Sequence, residues 1–183
     1  GWETGHPFLL RPSYRAIADL PLTERIVELR KPEVRAAILA EADIEGSGLL
    51  IEGLAGLAAG MLDNIFILGD PPDYEPTADR SIAAIAQAGG VDPLEAAYDA
   101  FCAEDGHALL MLPLLNYADG DHEAIRAQLI HPQSVSGLSD GGAHCGIICD
   151  ASLPTTMLTH WTRDRTRGER LPLEWIVKKQ THD

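Results

Sequence analysis

The chain has 183 residues, with 14 Lys plus Arg against 28 Asp plus Glu, a formal net charge of −14. Hydrophobic residues make up 45% and charged residues 23%, a globular mixture that argues against long-range disorder. The acidic balance suits neither nucleic acid nor anionic lipid, no apolar run spans a bilayer, and three cysteines make no disulfide scaffold, so one soluble segment, 1–183, is expected in the cytoplasm.

Residues 1–21 read as irregular, because Pro7, Pro12 and Pro21 interrupt any long helix. Thr23 to Arg30 can start a helix, and Pro32 restarts one with Val34, Ile38 and Leu39 on its apolar stripe. Gly46–Gly60, with five glycines, fits either a packed loop or a poor helix. Asn64–Leu68 reads as a buried strand, stopped by Asp70-Pro71-Pro72-Asp73. Thr77 to Ala88 predicts a helix with Ile82 and Ile85 facing inward and Gly89-Gly90 closing it. Asp92 then caps a helix with Pro93 at its first position and Leu94, Ala97, Tyr98 and Phe101 on one stripe.

His107–Leu112 suggests a second strand, and Asp121 starts a helix running to Ile130. Gln133–Leu138 is the third expected strand. Helices follow around Ser152–Trp161 and after Pro172. The alternation favours a helix-rich α/β fold over an all-α bundle. The charge run Arg163–Arg170 fits a solvated helix end.

The sharpest local signal is Ser136-Gly137-Leu138-Ser139-Asp140-Gly141-Gly142-Ala143-His144. An acid stands where a strand is expected to end, and glycines let the backbone turn and a ligand approach. Asp140 in that place can ligate a metal or act as a general base. The same residues also fit a turn in which Asp140 hydrogen-bonds its own backbone. His144 and Asp150 either complete a site or serve as a carboxylate partner and a helix cap. Asn116-Tyr117 either lines a pocket or forms a turn. Cys145 and Cys149, flanked by isoleucines, read as buried thiols rather than nucleophiles.

The run His131–Asp150, continued by Ala151-Ser152 and Trp161-Thr162-Arg163-Asp164-Arg165, resembles the N-acyl-D-amino-acid deacylase (D-aminoacylase) branch of the amidohydrolase superfamily. Gly1-Trp2-Glu3, His6-Pro7-Phe8 and Leu29–Arg35 extend the resemblance over nearly the whole chain. It implies a zinc-dependent hydrolase of N-acyl amides on a TIM-type β/α barrel, acting on carbon–nitrogen bonds other than peptide bonds. Asp140 matches the acid that ends the eighth strand, as metal ligand and general base. His144, Asn116 and Tyr117 become candidates for supporting or substrate contacts.

The family's His-x-His zinc pair is missing, since His6, His107, His122, His131, His144, His160 and His182 are all far apart. The chain is therefore expected to be a partial barrel, late strands and helices with an inserted helical segment, belonging to a longer protein. Zinc is expected in that parent and not in this chain alone, which should be catalytically silent. The expected partner is a small N-acyl amino acid or related amide, without nucleic acid or membrane, and homo-oligomers are compatible. The alternative is a non-catalytic binding or interaction domain that retains half of a barrel.

Overall fold

The computed structural model describes residues 1–137 and 150–182. The chain divides into two compact units, Gly1–Leu115 and Asn116–Asp183. In the first unit, turns and a one-turn helix at Pro12–Arg15 lead into α1 (Leu22–Leu29), α2 (Pro32–Ala40) and α3 (Leu50–Ala59). Pro32 sits at the first turn of α2, where its missing N–H costs nothing. The glycine-rich stretch is thus helical from residue 50. Its start is fixed by Glu52, whose carboxylate accepts from Ser47 N at 2.7 Å and Leu49 N at 3.3 Å.

The first two expected strands are present but short. β1 (Phe66–Ile67) pairs antiparallel with β2 (Leu110–Met111), Phe66 opposite Met111 and Ile67 opposite Leu110. Between them lie α4 (Ile82–Gly89) and α5 (Pro93–Phe101). Ser81 caps α4 by accepting from Ala84 N, and Gly90, at φ +67°, ends it in the left-handed region that glycine adopts without strain. Asp92 caps α5 as expected, its carboxylate accepting from Leu94 N at 2.8 Å. On α4 the inward stripe is Ile82 and Ala86, each 0% exposed, while Ile85 points outward. The helix presents its i, i+4 pair to the core, and Ile85, one residue short of Ala86, falls off that stripe.

The core of this unit is built on rings. Trp2, Phe8, Tyr14, Tyr98 and Phe101 pack with Leu29, Ile38 and Ile82. Trp2 lies 5.5 Å from Tyr14, nearly parallel, and 5.4 Å from Tyr98, edge-on. The two tyrosine hydroxyls are satisfied: Tyr98 Oη donates to Leu29 O at 2.8 Å, and Tyr14 Oη accepts at 3.0 Å from Arg25, which also donates to Trp2 O at 2.9 Å.

The second unit contains α6 (Glu123–Ile130), α7 (Leu153–Thr159), a π-helical turn at His160–Asp164, and α8 (Leu173–Thr181). Met157, Trp161, Leu171 and Ile176 form its apolar core. The third expected strand is not formed over residues 133–137. Ser134 N instead closes a turn onto His131 O at 3.1 Å, and Val135 is exposed, with no strand among the described residues paired to it. Leu138 lies outside the described residues.

Candidate functional site

Among the expected site residues, Asp140 and His144 lie outside the described residues, as do Cys145 and Cys149; Asp150 opens a 3-10 turn at Asp150–Ser152. Asn116 and Tyr117 belong to the second unit and behave differently from one another. Asn116 is exposed, at φ +61°, in a bend. Tyr117 is buried, and Gly120 N closes a turn onto its carbonyl at 3.1 Å.

Tyr117 opens a continuous ring of contacts. Its hydroxyl accepts from Arg167 Nη1 at 3.3 Å, and the same nitrogen donates to Gly120 O at 2.9 Å. Its ring meets His122 edge-on at 5.1 Å. His122 immediately precedes α6, while His160 begins the π-helical turn, and their rings lie 6.1 Å apart. Trp161 flanks both, at 6.0 Å from His122 and 5.4 Å from His160. Ligand nitrogens of His122 and His160 come within 4.8 Å of one another.

The charge run is not a solvated face throughout. The Arg165 side chain is 0% exposed. Its guanidinium lies 5.0 Å over the Trp161 ring and donates to Glu123 Oε1 and to Glu169 O, each at 2.7 Å. A planar fork can satisfy a carboxylate, a carbonyl and an aromatic face together, which explains burial of a charge in so small a unit. Gly168, at φ +77°, makes room for it. A Cβ there would collide with Glu123 Oε1 and lie 2.7 Å from Arg165 Nη2.

A second buried cation stands beside the segment that leads to Asp140. Lys179, on α8, donates to His131 O at 3.0 Å and also to Ser134 O. Ser134 Oγ in turn donates to Gln128 O at 2.6 Å. A cavity of about 330 Å³ adjoins this clasp, lined by Ser136, Gly137, Leu153, Met157, Lys179 and Thr181 among others. It brings the last described residues before Asp140 against α7 and α8.

No spacing in the sequence pointed to Arg165, Lys179 or the His122–His160 pair. The two histidines are separated by a helix, a long segment and a second helix, and Arg165 sits in a charge run whose composition reads as solvated. Only the burial of Trp161 and the closing of α8 on residues 131–134 distinguish them.

The family assignment comes from the whole chain. Residues 2–183 match the model of the amidohydrolase family. The chain belongs to that family. It matches no curated protein and no solved structure. An amidohydrolase is a hydrolase, and small-molecule substrates and metal ions are typical of the family. No helix among the described residues of this amidohydrolase is long and apolar enough to cross a membrane.

The residues present do not by themselves fit the zinc arrangement that the D-aminoacylase resemblance implies. A catalytic zinc takes three protein ligands and an open position. The sequence offers Asp140 at a family position but no His-x-His, and His122 and His160 occupy none of the positions that the resemblance assigns. In the first unit, Cys102 is no substitute nucleophile, because burial pushes its thiol up to about 11.

Proposed function

We propose that this amidohydrolase chain is the late part of a hydrolase of the D-aminoacylase type, which cleaves the N-acyl amide of N-acyl-D-amino acids or a related amide. The observation that carries the reading is the family match over residues 2–183 together with the motif around Asp140. In this reading residues 1–183 are one partial barrel domain, and the protein works in the cytoplasm, which the unpaired cysteine count supports. Asp140 accepts a proton from the attacking water and returns it to the departing amine, the two-way transfer that a positioned carboxylate performs well. The clasp of Lys179 on His131 and Ser134 supports this role, since it anchors the segment six residues before the acid. His144, Asn116 and Tyr117 serve substrate or supporting contacts.

The chain alone, with one family ligand, is silent toward N-acyl-D-amino acids even with added zinc. In a longer protein that carries the remaining ligands, Asp140→Asn lowers turnover by about 10²-fold or more while leaving folding unchanged. Steady-state assay of the purified variant with zinc bound tests this. Near-normal turnover would sink the role of Asp140. A longer protein with no turnover on any N-acyl amide would favour the non-catalytic binding domain, a reading that the missing His-x-His also supports.

A further inference from the structure

We propose that His122 and His160 bind a divalent transition-metal ion, with water completing its coordination. Three observations carry the proposal, all within the second unit. The ligand nitrogens of the two imidazoles come within 4.8 Å of one another. Two nitrogens on one tetrahedral zinc, each about 2.1 Å from the metal, stand about 3.4 Å apart, so small χ rotations close the pair. Both histidines are partly buried and placed at helix ends, His122 just before α6, its carbonyl accepting from Arg126 N at 2.8 Å, and His160 where α7 passes into the π-helical turn. Single π turns inside helices occur often at functional sites, because the extra residue re-aims a side chain.

The surroundings suit a metal ligand pair. Trp161 packs against both rings and Tyr117 against His122, an aromatic wall that limits solvent access and restricts ring motion. Trp161 is itself held under the Arg165 guanidinium, so the wall rests on a cation whose side chain is fully buried. Imidazole nitrogen selects zinc, nickel or copper over magnesium or calcium. Binding requires both rings neutral, so it weakens on acidification. The proposal is independent of Asp140 and of the N-acyl amide reading.

The test titrates the full 183-residue chain with Zn²⁺ alone, and with Mg²⁺ as the control, following imidazole ¹H–¹⁵N correlations and binding heat. One equivalent of Zn²⁺ should move the ring signals of His122 and His160 together, and Mg²⁺ should move neither. His122→Gln and His160→Gln should each weaken Zn²⁺ binding at least about tenfold. The ring signals of the unsubstituted chain decide the matter even if a variant folds poorly. Zn²⁺ that moves neither ring, that moves His144 or His131 in their place, or that binds either folded variant with undiminished affinity overturns the proposal.

Discussion

Residues 1–115 and residues 116–182 differ in what stands at the centre of each unit. The first packs aromatic rings on one another, with Trp2, Phe8, Tyr14, Tyr98 and Phe101 in mutual contact and aliphatic side chains from α1, α2 and α4 around them. The second, among its described residues, packs Met157, Trp161, Leu171 and Ile176 as its apolar core and places two cations, Arg165 and Lys179, among its most buried groups. Burial of rings is non-directional and tolerates irregular backbone, which suits a unit that begins with turns. A buried cation is directional: it must satisfy each of its donors, and so it fixes the carbonyls and carboxylates it meets. Arg165 fixes α6 and the Glu169 turn, and Lys179 fixes residues 131–134. The unit that carries the Asp140 motif is thus held by groups that specify loop geometry rather than by core volume.

The largest expected effect breaks the first side of this comparison. Phe8 is 0% exposed and meets Trp2 at 5.8 Å and Tyr98 at 5.3 Å. Phe8→Ala should destabilise the first unit by about 3–5 kcal/mol, from lost burial plus the cavity left behind. Hydrogen exchange resolved by peptide should report faster opening throughout residues 1–115. Protection of the Trp161 region should change little. Equal loss of protection in both units would mean that they unfold as one and that the distinction has no energetic content.

A smaller effect comes from the imidazole buried inside the aromatic core. His6 is 0% exposed and sits 4.8 Å from Trp2 and 4.4 Å from Tyr14. Burial, joined by the positive charges of the amino terminus and Arg25, lowers its pKa to about 3. The folded unit therefore holds His6 neutral, while the unfolded chain protonates it below about 6.5. The unfolded state binds the extra proton between those two values, so stability rises with pH across the window. It is complete above about 6.5 and is lost as pH falls toward 3. The slope from this group alone is about 1.4 kcal/mol per pH unit, or about 2 kcal/mol between pH 6.5 and pH 5. Denaturant unfolding at both pH values should show that loss in the unsubstituted chain and a smaller one in His6→Leu. Identical pH dependence in the two proteins would remove His6 as its source.

The two units were also unequally legible in the sequence. Elements governed by local chemistry were readable: Pro32 and Pro93 at helix starts, the Asp92 cap, the Gly90 stop. Those signals act within a turn of the chain and need no partner. The strands were readable as apolar runs, but their length was not, because pairing decides length, and β1 is paired by the two residues Leu110 and Met111 with a further isolated bridge from Phe66 to Ser81. Residues 133–137 carry strand-like composition and form none, since Lys179, 45 residues away from Ser134, takes the carbonyls of that turn. The candidate site divides the same way. Asp140 stands out through its own neighbours, whereas Arg165 looks like any member of Arg163–Arg170. Nothing in the sequence marks which arginine meets Trp161, and nothing pairs His122 with His160.

The smallest effect tests whether direction, rather than charge, holds the second unit. Arg165→Lys keeps the positive charge and most of the aliphatic stem. It removes the planar fork that donates to Glu123 Oε1 and Glu169 O while lying over Trp161. Glu123 is half exposed, so water can solvate its freed carboxylate; the Glu169 carbonyl and the indole face lose their partner outright. The expected loss is therefore that of about one charge-assisted hydrogen bond, about 1–2 kcal/mol, well below the cost of the Phe8 cavity. Hydrogen exchange should place it in residues 153–182 and spare the first unit. Gly168→Ala offers an independent approach to the same contact, because its methyl group would occupy the space between Glu123 and Arg165 without altering any charge. If both variants keep the protection of the Trp161 region, the buried guanidinium contributes only charge, and apolar packing by Met157, Leu171 and Ile176 must hold the unit as rings hold the other.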